Sequence, residues 1–181
     1  MAISSFSSAI VLAAGEGTRM RSARPKPLHL ICGRPMVMHV IHALESVAPE
    51  RTIVVVGHGA ERVTKKVQEQ APQWAHVSVV EQTVQRGTGD AAMVGLGAFP
   101  GDDLDDNSTV VVLPGDTPLL QPGTIDALIA AHNANEYAAT LVTSLMDDPT
   151  GYGRVIRQPS KTGDGRVLRI VEQRDATAEE L

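Results

Sequence analysis

An α/β fold built on a doubly wound, mostly parallel sheet is the class this sequence predicts, and three observations predict it. Short runs nearly continuous in Val, Ile, Leu and Ala alternate with segments of helical period along most of the 181 residues. That is the pattern of βαβ units whose strands are covered on both faces. Aromatic residues make up only 3% of the chain, so its core has to be aliphatic. Polar loops bearing glycine or proline follow the apolar runs, which places turn chemistry at the carboxyl ends of the predicted strands, where open sheets collect ligands. The alternation is Rossmann-like, although neither Gly-x-Gly-x-x-Gly nor a P-loop Gly-Lys-Ser/Thr follows the first strand.

Taken in order, residues 9–13, 52–56, 77–80, 110–113 and 139–143 read as strands. Val37, Val40, Ile41 and Leu44 fall at i, i+3, i+4, i+7 and predict a helix with one apolar stripe; Ile125, Leu128, Ile129 and His132 repeat that spacing. Val63 and Val67 mark a more polar, surface helix. Residues 90–99 are apolar nearly all round, which predicts a helix buried deeply against the sheet. The order βαβαβαβαβ implies right-handed crossovers. After it the texture changes: residues 151–157, a polar turn over 158–165 and residues 166–172 predict a small antiparallel addition. Residues 175–181 read as the cap and first turn of a helix, so the single domain, 1–181, is expected to be incomplete at its C-terminus.

A hydrophobic fraction of 43% and a charged fraction of 20% fit one domain with a sizeable core. Net charge −5 runs against the basic face of a nucleic-acid binder. No apolar run approaches the roughly 20 residues that span a bilayer, and residues 1–8 lack the basic and apolar regions of a secretory signal. The single cysteine, Cys32, excludes an intrachain disulfide and fits a reducing, cytoplasmic setting. With no second cysteine or histidine beside it, it is expected as a buried or half-buried thiol. The partners expected are therefore small molecules, with no nucleic acid and no membrane. His39, His42 and Glu45 share a predicted helix, but two histidines without a third ligand read as boundary histidines rather than a metal site.

The chemistry-bearing residues follow the strands. After the first comes Ala14-Gly15-Glu16-Gly17-Thr18-Arg19, then Pro25-Lys26-Pro27-Leu28. Glycines bring backbone N–H groups close to phosphates, and two cations can meet oxygens that gain charge. After residues 110–113 comes Pro114-Gly115-Asp116, a carboxylate suited to holding Mg²⁺ on substrate phosphates. After residues 77–80 come Glu81-Gln82 and Gln85-Arg86-Gly87-Thr88-Gly89; a glutamine amide offers a donor and an acceptor to the edge of a pyrimidine. Glu172 ends the last strand, with Tyr152-Gly153 in a turn placed to face it. Read one at a time, each segment also has an explanation as an ordinary polar turn, most readily for Gln82–Gly89 and least for Asp116.

Read together they resemble a known family. Leu12-Ala13-Ala14-Gly15-Glu16-Gly17-Thr18-Arg19-Met20 with Lys26-Pro27-Leu28 is similar to the signature of sugar-1-phosphate nucleotidylyltransferases. Gln85–Gly89, Gly115-Asp116-Thr117-Pro118-Leu119, Asp147-Asp148-Pro149-Thr150-Gly151-Tyr152-Gly153-Arg154 and residues 170–177 narrow the resemblance to the N-terminal uridyltransferase domain of the GlmU family. These are bifunctional N-acetylglucosamine-1-phosphate uridyltransferases/glucosamine-1-phosphate acetyltransferases. The resemblance implies a fold of the nucleotide-diphospho-sugar transferase type, UTP and N-acetylglucosamine 1-phosphate as substrates, Mg²⁺ as cofactor, and UDP-N-acetylglucosamine and pyrophosphate as products. It implies that Leu12, Ala13, Ala14 and Gly15 hold the nucleotide, that Gln82, Gly87 and Thr88 surround the uracil, and that Pro114 and Gly115 line the same site. Arg19 and Lys26 would act on the triphosphate, Asp116 would ligate Mg²⁺, and Gly153 and Glu172 would contact the sugar. Pro27 departs from the family's more usual valine, which leaves open a relative acting on another sugar or base, such as a glucose-1-phosphate thymidylyltransferase, or a nucleotide-binding fragment without activity. The family's domain continues past position 181 with a second metal-ligating asparagine, and then a left-handed β-helix that transfers acetyl groups and assembles a homotrimer. That part is absent here, so no acetyl transfer is expected of this chain.

Overall fold

Residues 9–13 are apolar on both faces, and they lie in an interior strand of the main sheet. The structure is a computed structural model and describes residues 6–17, 20–101, 104, 108–135, 137–159 and 165–181. The chain divides into two compact units, Met1–Thr140 and Leu141–Leu181.

In the first unit, strand β1 (Phe6–Ala13) is followed by a two-residue pair, β2 (Leu30–Ile31) and β3 (Arg34–Pro35), then α1 (Met36–Ala43), β4 (Arg51–Val56), α2 (Ala60–Gln70), β5 (Val77–Glu81), α3 (Thr88–Leu96), β6 (Thr109–Pro114) and α4 (Pro122–Asn135). The sheet runs β5-β4-β1-β6. Every pairing in it is parallel, with Ile10 opposite Ile53 on one side and Val112 on the other. Successive strands step outward from β1 to β4 and β5, and the chain then returns to the far side of β1 as β6. The strand order therefore reverses at β1, and the crevice beyond the carboxyl ends of β1 and β6 is the switch point of the fold.

Alternating residues of β1 serve opposite faces, as the period of two requires. Ala9, Val11 and Ala13 pack with Val54, Val56, Val37, Val40, Ile41, Val63 and Ile125, so α1, α2 and α4 cover that face. Ile10 packs with Ile53, Val55, Ala91 and Phe99, so α3 covers the other. Gly95 lets α3 approach closely: a Cβ there would fall 2.8 Å from Ile10 Cγ2 and 3.1 Å from Val55 Cγ2.

Three features depart from what the sequence predicts. Residues 139–143 form no strand, so the sheet among the described residues has four members rather than five. A β-branched run becomes a strand only where a neighbour takes its backbone hydrogen bonds; Leu141 and Val142 are instead exposed and Leu145 is fully so. Helix α3 is not buried deeply. Only Ala91 and Gly95 of it are fully covered, and Met93 is 67% exposed, because one layer on a sheet face buries one stripe however apolar the rest may be. Cys32 is exposed rather than buried. It shares with Gly33 the tip of the β2–β3 turn, where both residues have positive φ (49° and 82°). That is the backbone of a two-residue hairpin turn of the I′ type.

The second unit contains the predicted antiparallel pair, β7 (Arg154–Arg157) and β8 (Val167–Val171), with Arg154 opposite Val171. Residues 160–164 of the intervening turn lie outside the described residues. The predicted terminal cap is also present. Thr177 N donates to Glu180 Oε2 at 3.0 Å and Thr177 Oγ1 lies 3.2 Å from the same oxygen, while Glu180 N donates to Thr177 O. Arg169 Nη2, 2.8 Å from Glu180 Oε2, completes the cluster. The Thr177 N–H, and after it the Arg169 charge, holds the Glu180 carboxyl below the usual carboxylate range.

Candidate functional site

The loops that leave β1, β5 and β6 enclose a cavity of about 450 Å³ at the switch point. Eleven of the residues singled out from the sequence line it. Leu12, Ala13, Ala14 and Gly15 come from the end of β1, and Lys26 follows that loop. Gln82, Gly87 and Thr88 span the exit of β5 and the start of α3. Pro114, Gly115 and Asp116 come from β6. Arg19 lies outside the described residues.

The loops are held together by main-chain bonds rather than by side-chain packing alone. Gly115 N donates to Leu12 O at 2.8 Å, joining the loop after β6 to the end of β1. Ala14 O accepts from His58 N at 3.2 Å and from Gln85 Nε2 at 3.1 Å. The carbonyl groups of Leu12 and Ala14 are therefore engaged within the protein, and Gly115 N–H is spent on Leu12.

Lys26 opens a single 3-10 turn, Lys26–Leu28, whose Pro27 and Leu28 are buried and fix it. Gly17 has φ +65°, and a Cβ on it would fall 2.6 Å from Lys26 Cβ, so the glycine-bearing loop lies directly against the lysine stem. The ammonium of Lys26 forms an ion pair with Asp116, ninety residues away in sequence. Both groups are about two-thirds covered, with 28% and 34% of their side chains exposed. Thr117 Oγ1 donates to Pro114 O at 2.8 Å and braces the turn that carries Asp116. A cation and a carboxylate from the two loops that meet at the switch point thus share one corner of the cavity.

Gln82 is 4% exposed, and its backbone N donates to Val56 O at 2.8 Å. Its Nε2 donates to Asp90 Oδ2 at 2.7 Å and to Gly87 O at 3.3 Å. Both amide hydrogens are used inside the protein, so the amide does not offer the donor expected of it. Asp90 went unnoticed in the sequence because it reads as an ordinary acidic residue in a helix's first turn. Gln85, Gly17, Met20 and Pro27 also line the cavity; all four lie in the motifs read from the sequence, Gln85 at the head of Gln85–Gly89 and the others in the segments after β1.

Among the described residues no group of three or more His, Cys, Asp or Glu could hold a metal ion alone. His39 and His42 are occupied by backbone carbonyls, Ile31 O at 2.9 Å and Met38 O at 2.7 Å, as boundary histidines are. No helix among the described residues is long and apolar enough to cross a membrane.

In the second unit the β7–β8 register sets Gly153 beside Glu172. A Cβ on Gly153 would lie 3.1 Å from Val171 O and 3.9 Å from Glu172 Oε2. Gly151 N donates to the side-chain oxygen of Gln173, and Arg154 Nη1 donates to Pro149 O at 3.0 Å, so the turn expected to face Glu172 does so.

Residues 9–175 match the model of the MobA-like NTP transferase domain. The chain is 44% identical over 180 residues to the bifunctional protein GlmU of Thermobifida fusca, covering 99% of this chain and 36% of that protein. It is 49% identical over 169 residues to the bifunctional protein GlmU of Mycobacterium bovis, covering 93% and 33%. The chain thus spans about a third of the length of these curated relatives. In structure it is similar to a nucleotidyl transferase from Methanothermobacter thermautotroptrophicus, with a TM-score of 0.57 and 26% identity over 69% of this chain and 57% of that one. A UDP-glucose pyrophosphorylase complexed with UDP-glucose shares the fold, with a TM-score of 0.67 at 16% identity over 93% of this chain and 69% of that one. The expected fold of the nucleotide-diphospho-sugar transferase type is therefore the observed one. On its sheet, its switch-point cavity and a match over residues 9–175, the chain is a nucleotidyltransferase domain and belongs to the MobA-like NTP transferase family.

Proposed function

We propose that this domain transfers the uridylyl group of UTP to N-acetylglucosamine 1-phosphate, giving UDP-N-acetylglucosamine and pyrophosphate. The observation that carries the reading is the meeting of Lys26 and Asp116 in a cavity lined by glycine-bearing backbone at the switch point of the sheet. The curated GlmU relatives support the choice of substrates.

The sugar phosphate attacks the α-phosphorus through an anionic oxygen; the new P–O bond forms as the bond to pyrophosphate breaks. The nucleophile already carries its charge, so no general base is required and the protein's task is positioning and neutralisation. The β1 loop would cradle the phosphates. Lys26 would leave Asp116 for a phosphate oxygen and stabilise charge that grows in the transition state, with Arg19 as its proposed partner. Asp116 would hold Mg²⁺, and the donor set fits: this ion commonly takes one or two carboxylates and completes its shell with phosphates and water. Bound there, Mg²⁺ supplies charge neutralisation across the phosphates. Gln82, Gly87 and Thr88 would receive the base, and Gly153 and Glu172 the sugar.

The test is pyrophosphate release with UTP or dTTP, each paired with N-acetylglucosamine 1-phosphate or glucose 1-phosphate, in the presence of Mg²⁺. Fastest release with UTP and the acetamido sugar is the expected result. A preference for dTTP or for glucose 1-phosphate would replace this reading by a different nucleotidylyl transfer.

A further inference from the structure

We propose that Asp90 is a positioning residue that sets the nucleobase preference of the cavity, by locking the Gln82 amide with its oxygen, rather than its nitrogen, available to the ligand. The inference rests on the reading of this cavity as a nucleotide site.

Two acceptors face one end of the Gln82 amide: Asp90 Oδ2 at 2.7 Å and Gly87 O at 3.3 Å. Neither an ionised carboxylate nor a carbonyl has a proton to give. Turning the amide over would therefore set oxygen against oxygen twice in a largely buried place, which fixes the orientation chemically. Once both hydrogens are engaged, Oε1 is the remaining polar atom. It accepts no hydrogen bond from the described residues, and Gln82 lines the cavity, so Oε1 is the polar atom this side chain has left for a ligand. The Gln82 backbone is pinned to β4 through Val56 O, so the side chain pivots about a fixed point.

A base subsite that presents a lone acceptor selects a ring that carries N–H. Uracil and thymine offer N3–H to such an oxygen, whereas cytosine offers the lone pair of N3 and sets two acceptors face to face. The lock therefore separates UTP from CTP and does not separate UTP from dTTP. Asp90 reaches the base only through Gln82, so its removal frees the amide to turn and offer N–H to cytosine.

The test is equilibrium dialysis of the 181-residue chain with radiolabelled UTP and CTP in the presence of Mg²⁺, with a thermal melt of every variant. The unmodified chain should bind UTP at least about tenfold more tightly than CTP, the size of a well-placed hydrogen-bond discrimination. Asp90→Ala should bring that ratio to within about threefold of unity. Asp90→Asn, whose amide can donate as well as accept and so no longer bars the turned-over Gln82 amide, should also lower the ratio. In a Gln82→Ala background, where the preference is already gone, adding Asp90→Ala should change nothing further. Asp90→Ser makes the same comparison if the alanine variant does not fold. A ratio unchanged in Asp90→Ala but lost in Gln82→Ala would overturn the role of Asp90 and leave the nucleotide site intact. Equal binding of UTP and CTP by the unmodified chain would overturn the acceptor assignment, and binding of neither would overturn the nucleotide site along with it.

Discussion

Lys26 illustrates how much of the site is decided residue by residue. Its stem lies under Gly17, its turn is anchored by buried Pro27 and Leu28, and its charge is matched by Asp116. Lys26→Ala should slow turnover by on the order of 10²-fold while weakening UTP binding much less, because the lysine is placed to meet charge that develops during transfer. Equal losses in kcat and binding would mean that it only anchors ground-state phosphate. Gly17→Ala should reduce activity by displacing Lys26 rather than by removing a substrate-binding group. The new Cβ collides with the Lys26 stem, and φ +65° costs a non-glycine residue roughly 1–2 kcal/mol; steady-state kinetics beside a thermal melt would show both effects. Most of these residues were legible because glycines, prolines and charges stand immediately after apolar runs. Asp90 was not. Its role arises from a distance to Gln82 set by the β5–α3 turn, and nothing in its own spacing announces a partner eight residues back.

At the scale of elements, the four paired strands and the helices α1, α2 and α4 follow from periodicity, since their buried residues are the ones whose spacing was apolar. The misjudged elements are those whose fate depends on a neighbour. Helix α3 reads as apolar all round, yet the sheet gives it one face to bury, and Gly95 rather than a large side chain makes that contact. Gly95→Ala should therefore destabilise the domain despite alanine's better helix propensity, worth about 1 kcal/mol. The added methyl meets branched, buried Ile10 and Val55, and overpacking of a well-filled core costs about 1–3 kcal/mol; a lowered melting temperature is the expected reading. Cys32 offers the opposite case, an exposed residue with φ 49° in a hairpin turn. Cys32→Asn should raise the melting temperature slightly, because asparagine tolerates the left-handed region far better. The capped turn at 177–180 carries a pH dependence. Glu180 titrates below its ordinary value when folded, so its contribution is present above the ordinary carboxylate range and is lost as pH falls through the lowered value. Arg169→Ala, which removes the neighbouring charge but keeps the Thr177 N–H, should move the Glu180 titration, followed by NMR, part of the way back up toward the ordinary range.

For the molecule as a whole, a parallel sheet with a strand reversal at β1 dictates where chemistry collects, and the cavity lies there. The predicted fifth strand at 139–143 did not materialise because strand propensity is a statement about fitting a paired surface, and residues 141–146 are exposed instead. The measurement that tests the central claim most directly is a calorimetric titration of the chain with UTP, with and without Mg²⁺, alongside Asp116→Ala. One-site binding that Mg²⁺ strengthens, with the Mg²⁺ enhancement lost in Asp116→Ala, is the predicted result. No heat of binding from a chain that still melts cooperatively, or an enhancement indifferent to Asp116, would contradict it.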